Sequence, residues 1–581
     1  MNELFCKIDV LQNECATCLI NYENKEFDVI NYQIIFKTFV NGSLFQFVKS
    51  IQEFLIKADY QNIYVLYVCL SQIRKCLLMH QSIVTEKIIE PTFEKSAYTY
   101  LIKRIQKCFY KLEEYLDTVE TIDEDEIPGI FIQRINTVLN ELSDKRNIET
   151  VKPQIEKILF QAITIAKVSD KSHNLDIISS SKQVLKAIQD IEETINENDS
   201  FFKYDYISSL LSILERRVNS SILYLIYKVF SDPFCVIKQL LQKCGDLINI
   251  PKRNPNDLLK MTSELDNSTD ILIQIGIFAI SCCSNTEDVT PLKCCLSSLE
   301  LLDSDLVPAI TKFYLDPTSC TKKSFLKLLI NHWISEILNL QKILHKIIDP
   351  STYAQTVLEA SINILQEIRQ GNTTSYMESF NHFLNGLNYF SKYVNEVFMG
   401  KAIKECKLSS VITQLNQGLK ECNACLIFFK KENIAESSGI VEKMLKRCEI
   451  VIKHLKSIQF SICELMNINN AMDPDNVSHI LSKTKHSLNL TREDYDIKND
   501  DLDYLFSANK IQFSFYNIPE NKALKTFCNL KNLVNVDETN IGNTIMDLTN
   551  ILDNFIETLD PEKDIQIANS IWEETNINIE K

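Results

Sequence analysis

The stretch FLKLLINHWISEILNLQKILHKII, residues 325–348, places Leu326, Ile330, Trp333, Ile337, Leu340, Leu344 and Ile347 at alternating steps of four and three. That spacing keeps one apolar seam of a helix turned toward neighbouring helices. The segment before it repeats the pattern with Leu292, Cys295, Leu299, Leu302, Leu306, Ala309 and Phe313, and the one before that with Leu272, Ile275, Ala279 and Cys282. Three successive helices therefore each need partners, and the sequence predicts an all-α fold of tandem antiparallel helical bundles.

Composition points the same way. The chain of 581 residues has 10 glycines and 13 prolines, well below the average usage of about 7% and 5%. Strand-and-turn architectures need far more of both. At roughly 100–200 residues per domain the length predicts three to five units.

Net charge is -16, so nothing argues for binding a phosphate backbone, which depends on clustered Lys and Arg. No nucleic-acid partner is expected. The charge is uneven: residues 466–581 hold 20 Asp/Glu against 10 Lys/Arg, a net of -10. Nineteen cysteines, many of them on apolar helix faces as with Cys282, Cys295 and Cys448, behave as small hydrophobes and indicate a reducing compartment. The start, Met1-Asn2-Glu3-Leu4-Phe5-Cys6-Lys7, lacks the basic n-region and apolar run of a signal peptide. Ile271 to Cys283, the most apolar stretch, is shorter than the ~20 residues that span a bilayer. A soluble cytoplasmic protein without a transmembrane segment is expected.

Helical patterning is readable at 27–57, 61–83 and 95–119, and the acidic run Asp123-Glu124-Asp125-Glu126-Ile127-Pro128-Gly129 then halts it. Further helices are predicted at 130–142, 150–168, 174–195, 203–230 and 233–249, before Pro251-Lys252-Arg253-Asn254-Pro255. Longer ones follow at 257–284, 288–314, 322–348, 351–370, 373–398, 404–431 and 437–466. Pro308 is expected to bend the second of these or restart it after Asp303-Ser304. The expected organisation is an N-terminal bundle at 1–122, a second bundle at 130–250, a middle bundle at 257–400 with continuing helices at 401–466, and an acidic, weakly patterned tail at 467–581. Short amphipathic pieces stand in that tail at 543–558 and 562–573.

No constellation points to chemistry, and no catalytic, cofactor-binding or metal-binding residue can be named. Two C-x-x-C pairs, Cys15/Cys18 and Cys422/Cys425, lie in apolar helical runs without the turn residues of a zinc knuckle, so they read as core cysteines. Asp500-Asp501-Leu502-Asp503 and Asn256-Asp257-x-x-Lys260-x-x-x-Glu264 resemble the magnesium clusters of all-α terpene synthases. Lys260, however, stands where a hydroxyl ligand belongs, and the clusters come in the wrong order. No histidine follows a Glu by three residues, which excludes the di-iron pattern of helix bundles. Glycine-rich phosphate cradles and nucleophile elbows are absent from the sequence. Lys443, Lys446 and Arg447 share a helix face near Lys430-Lys431, Lys453 and Lys456. That face reads as solvated, or as one that touches acidic lipid or an acidic partner. Ser179-Ser180-Ser181 reads as a cap for the next helix.

Residues 264–348 resemble the middle region of the vinculin and alpha-catenin family. The order and spacing are those of Gly276-Ile277-Phe278-Ala279-Ile280-Ser281-Cys282-Cys283-Ser284-Asn285, Ser298-Leu299-Glu300-Leu301-Leu302, the Pro317 connection and the helix centred on Trp333. Weaker similarity continues to about 465, and within the family the chain is most similar to the divergent insect branch called serendipity-alpha. The resemblance implies a non-enzymatic adaptor at the inner face of the plasma membrane, at the cell cortex. It would organise actin during membrane invagination and cellularisation of the early embryo. The partners it implies are actin filaments, reached directly or indirectly, and membrane-associated junction or cortical proteins. The family's actin-binding end is basic, whereas residues 466–581 are acidic, and like charge opposes docking on acidic filamentous actin. Residues 257–465 are therefore expected to carry more of the partner binding than the tail. The alternative reading is a helical tethering or trafficking adaptor with no cytoskeletal role.

Overall fold

The computed structural model describes residues 2–23, 29–48, 63–85, 91–117, 129–144, 148–192, 197–245, 253–283, 286–371, 375–398, 407–431 and 438–472. Every described element is helical, as the seams and the scarcity of glycine require. The tail pieces at 543–558 and 562–573 and the cluster Asp500–Asp503 lie outside the described residues. Two compact units divide the chain. The first joins residues up to Gly129 with Phe234–Ile343, and the second joins Ile130–Pro233 with the helices from Leu344 onward.

In the first unit, α1 (Asn2–Glu23), α2 (Val29–Phe39), α3 (Ile63–Thr85) and α4 (Pro91–Asp117) precede α9 (Cys235–Gly245), α10 (Leu259–Cys282), α11 (Thr286–Leu315) and α12 (Cys320–Ile347). Helices α1, α2 and α3 pack on α4, α3 packs on α11, and α9 lies against α10 and α11. Helix α1 adds to the predicted set. Its stripe Ile8, Leu11, Cys15, Cys18 and Tyr22 is buried, but the interleaved polar residues Gln12, Asn13 and Glu14 dilute the signal along the sequence.

The heptad ladder is the core of this unit. Leu326, Ile330, Trp333, Ile337 and Leu340 are all buried, as is every seam residue from Leu292 to Phe313. One continuous helix, α11, runs through Pro291 and Pro308, so the restart expected after Ser304 does not occur. Its apolar face, Leu299, Leu302, Leu306 and Ile310 among others, is buried on both sides of Pro308, and that packing outweighs the missing backbone donor. Close approach of α10 to α11 depends on Gly276, where a Cβ would come within 2.5 Å of Leu296 Cδ2. The described end of the proline breaker, from Arg253, is a capped turn. Asn254 accepts from the Asn256 backbone N–H at 3.0 Å while Asp257 accepts from the Asn254 N–H at 3.1 Å, and Arg253 donates to the Cys244 and Tyr314 carbonyls.

The second unit contains α5 (Ile130–Asp144), α6 (Ile148–Val168), α7 (Lys171–Glu192) and α8 (Glu197–Ser231), followed by α13 (Pro350–Gln370), α14 (Tyr376–Phe398), α15 (Lys407–Lys431) and α16 (Ser438–Met472). Helices α5 to α8 pack as one four-helix group, and α8 also contacts α13 and α14. At 35 residues and 1.5 Å per residue, α8 is about 50 Å long, enough to serve both groups. The segment Tyr204–Gly245 has the length and hydropathy of a membrane-spanning helix. Its Leu210, Leu211, Leu214, Val218, Ile226 and Tyr227 are instead buried within the helical core. The ends of α13 follow local chemistry: Asp349 accepts from the Thr352 N–H at 2.8 Å, Pro350 takes the first turn, and Gly371 closes the helix at φ 71°.

Trp333 is 1% exposed and meets Phe234 edge-on, with ring centroids 6.1 Å apart. Trp333→Ala is expected to lower the stability of the first unit by about 3–5 kcal/mol. Trp333→Phe should lose far less, because the indole N–H makes no hydrogen bond among the described residues. Chemical denaturation followed by circular dichroism checks both. A Trp333→Ala protein that unfolds like wild type would place the residue outside the core.

Candidate functional site

Helix α12 is buried around nearly its whole circumference, and a helix so placed is expected to be apolar all round. It nevertheless carries His332, Glu336, Asn339 and Gln341 inside the first unit, all under 9% exposed. Partners explain His332 and Glu336, whereas Asn339 Oδ1 has no hydrogen-bond partner among the described residues. Lys75 Nζ on α3 donates to Glu336 Oε2 at 2.5 Å, with both side chains under 8% exposed. Arg104 on α4 donates to Tyr100 Oη at 2.9 Å, to Gln72 Oε1 at 2.6 Å and to Ser298 Oγ at 2.6 Å. Ser298, on α11, accepts from Arg104 and also lies 3.3 Å from His332 Nε2, within hydrogen-bond reach. His332 Nδ1 faces Glu336 Oε1 at 3.9 Å, and Gln72 donates to the Cys294 carbonyl at 3.2 Å. One connected polar chain thus ties α3, α4, α11 and α12 through their shared core.

The sequence pattern does not single out this cluster. Its trace is there: Arg74-Lys75 are the only charges between Tyr64 and Met79, and Glu336 and His332 flank the seam residues Trp333 and Ile337. Isolated charges on an apolar helix are ambiguous until the partner helix is known.

Burial holds the thiols of this unit in the protonated form. The pKa values of Cys69 and Cys295 rise well above the usual range, that of Cys76 rises to about 12 and that of Cys294 to about 11, with desolvation the largest cause. Such thiols are poor nucleophiles and poor metal ligands. Cys15 and Cys18 are buried on α1, and Cys422 is buried on α15 with Cys425 half-buried. The two C-x-x-C pairs belong to different units. Asp257 closes the turn at Asn254 and accepts from Tyr314 Oη at 3.0 Å, while Lys260 pairs with Glu264 at 3.9 Å on an exposed turn. Of the residues that resemble a magnesium cluster, Asp257 is thus structural. Ser180 and Ser181 correct the expected cap. Both lie inside α7 and donate back to the Asp176 and Ile177 carbonyls, and Ser180 also accepts from Arg217. Serine hydroxyls satisfy themselves in this way in mid-helix.

In the second unit, His345 Nε2 lies 2.7 Å from Tyr389 Oη and its Nδ1 3.1 Å from Glu396. The ring sits edge-on to Tyr393, which is edge-on to Tyr353. This is an aromatic core with one polar edge. Lys443, Lys446 and Arg447, singled out from sequence, are brought together on the exposed face of α16, where Lys446 pairs with Glu442 at 3.2 Å.

Long helices in packed groups, tied by polar contacts in the core and by ion pairs on exposed faces, define a helical-bundle fold of the vinculin kind. A solved vinculin homolog from a sponge superposes with a TM-score of 0.60 at 11% identity, covering 99% of this chain and 72% of that one. The HMP-1 M domain aligns over 57% of this chain at 14% identity, with a TM-score of 0.46. The profile of the serendipity locus alpha protein (SRY-A) family matches residues 131–517, more than half of the chain, and the chain belongs to that family. The Serendipity locus protein alpha of Drosophila virilis is 23% identical over 344 residues, 51% of this chain and 59% of that protein. That of Drosophila pseudoobscura pseudoobscura is 25% identical over 234 residues, 40% of this chain and 38% of that protein. The matches therefore span less than two thirds of these relatives' own length.

The buried histidines set an acid limit on the first unit. Burial lowers the pKa of His80 to about 4, with Lys37 adding to the effect, and His80 Nδ1 lies 3.2 Å from Tyr98 Oη. Burial, then Arg104 and Lys75, also lowers that of His332. A depressed folded pKa means that the unfolded chain takes the proton first, so the stabilisation is complete above about pH 6.5 and is lost as pH falls toward 4. Glu94 and Glu300, whose pKa values burial raises, work in the opposite sense in the carboxylate range. Melting temperature is expected to fall between pH 7.5 and 5.5, and His80→Gln and His332→Gln should each flatten that fall. A profile unchanged by both substitutions would contradict the assignment.

Proposed function

We propose that this protein is a non-enzymatic cytoskeletal adaptor at the cytoplasmic face of the plasma membrane, organising actin filaments at the cell cortex during membrane invagination and cellularisation of the early embryo. The observation that carries this reading is membership of the serendipity locus alpha family over residues 131–517, on a fold shared with a sponge vinculin homolog associated with cell adhesions. The physical features support it. Apolar seams run the length of the described helices, and such bundles recognise partner helices by adding one to an apolar groove or opening one. Among the described residues, Lys75, Arg104, Ser298, His332 and Glu336 are engaged in structural bonds inside the first unit, which accords with an adaptor.

Junction or cortical proteins are the direct partners on this reading, with actin reached directly or through them. Residues 466–581, with their net charge of -10, repel an acidic filament, although exposed charges are screened beyond about 8 Å at physiological salt. Binding therefore falls to the bundles. The matching experiment compares the full chain, residues 1–472 and residues 473–581 for localisation in a cellularising embryo and for co-sedimentation with actin filaments. Full-length protein and 1–472 should reach the cortex, and the isolated tail should remain in the supernatant. A tail that pellets with purified actin while 1–472 misses the cortex would reverse the roles. Recovery of vesicle-tether subunits, with no cortical enrichment of any form, would favour the trafficking adaptor.

A further inference from the structure

Helix α16 presents an exposed face formed by Lys443, Lys446, Arg447, Ile450, Lys453, Lys456 and Phe460. Successive members follow at steps of one, three and four, so they share one side of the helix over about 25 Å. Five cations stand there against exposed Glu442 and Glu464, in a chain whose net charge is -16. Glu442 pairs with Lys446, and the flanking Glu449 is taken by Arg369 on α13. Among the described residues no carboxylate pairs with Lys443, Arg447, Lys453 or Lys456. The same face exposes two large apolar side chains, Ile450 at 52% and Phe460 at 61%. Ile450 lies within four residues of Lys446, Arg447 and Lys453, and Phe460 within four of Lys456.

The opposite face of α16 is fully engaged: Met444, Cys448, Val451, Leu455, Ile458 and Ile462 are buried. The contact of Gly418 on α15 with Val451 fixes the register of the hairpin. The basic face is therefore held outward by the core rather than left over from weak packing.

We propose that this face of α16 is the contact by which the protein lies on an anionic lipid surface. This deepens the adaptor reading and rests on it. Charge complementarity selects an anionic occupant. Long cationic side chains around isolated large apolar ones are the composition of an interfacial helix: the stems lie along the boundary, the charged ends meet phosphate and carboxylate headgroups, and Ile450 and Phe460 enter the acyl boundary. Juxtamembrane cations attract the anionic cytoplasmic leaflet individually, so their effect accumulates along the helix and weakens with salt.

The test uses the full chain, sedimented with vesicles of phosphatidylcholine alone and of phosphatidylcholine with phosphatidylserine, in the absence of actin. Wild type should pellet with the mixed vesicles and not with phosphatidylcholine, and raised salt should release it. Lys443→Glu/Lys446→Glu/Arg447→Glu should weaken that binding roughly tenfold or more. Ile450→Ser/Phe460→Ser should weaken it severalfold. If charge reversal disturbs the circular-dichroism spectrum, the neutral Lys443→Gln/Lys446→Gln/Arg447→Gln variant is measured instead, with a loss in the same direction. Wild type that ignores the mixed vesicles, or variants that bind them as wild type does, would overturn the proposal. So would capture of an acidic protein through these residues without vesicle binding. Because actin is absent, failure here removes the lipid contact alone, and failure of the adaptor reading registers separately in filament co-sedimentation and cortical localisation.

Discussion

The ion pair between Lys75 on α3 and Glu336 on α12 ties two helices of the first unit together through its core. Both groups are inside a helical core, where an unpaired charge is costly enough that each requires the other. The pair fixes the axial register of α12 against α3, and the hydrogen bonds from Arg104 through Ser298 to His332 extend that register to α4 and α11. Apolar seams alone leave helices free to slide by a heptad, since one leucine layer resembles the next. A buried polar level cannot slide without losing its partners, and this accounts for its position in the middle of a helix surrounded by Leu329, Ile330, Ile334, Ile337 and Leu340.

Much of this fold is legible in sequence because helix periodicity needs only local information. The seams at 292–313 and 326–344 bury the residues that their spacing selects, and the described end of the proline breaker, from Arg253, is a capped turn. What stayed hidden depends on contacts distant in the chain. Lys75 and Glu336 are separated by 261 residues, and the one local neighbour of Glu336, His332 at 3.9 Å, does not announce the pairing with α3. Ser180 and Ser181 have the composition of a cap but lie inside α7, where packing of Ile177, Val184 and Ile188 continues the helix past them. Pro308 likewise yields to the apolar face around it. In each case tertiary burial overrides a local preference.

The two units differ in what they present. The first holds Lys75, Arg104 and Glu336 in its interior, in ties among four helices. The second keeps an aromatic core around His345, Tyr353, Tyr389 and Tyr393 and turns cations outward on α16. An adaptor needs both properties: rigid bundles with defined register, and a surface whose chemistry differs from the rest of an acidic chain. The basic stretch of α16 lies within the region that matches the serendipity locus alpha family, and it is followed by a segment of opposite charge.

A double-mutant cycle on Lys75 and Glu336 tests the central claim most directly. Lys75→Met and Glu336→Leu, measured by denaturant unfolding of the first unit, should each cost about 3–5 kcal/mol because each strands a buried charge. The double variant, with neither charge present, should recover most of that loss, giving a coupling well outside the ~0.5 kcal/mol scatter of independent sites. Single variants that unfold like wild type, or losses that simply add in the double variant, would contradict the account of a core whose register depends on this pair.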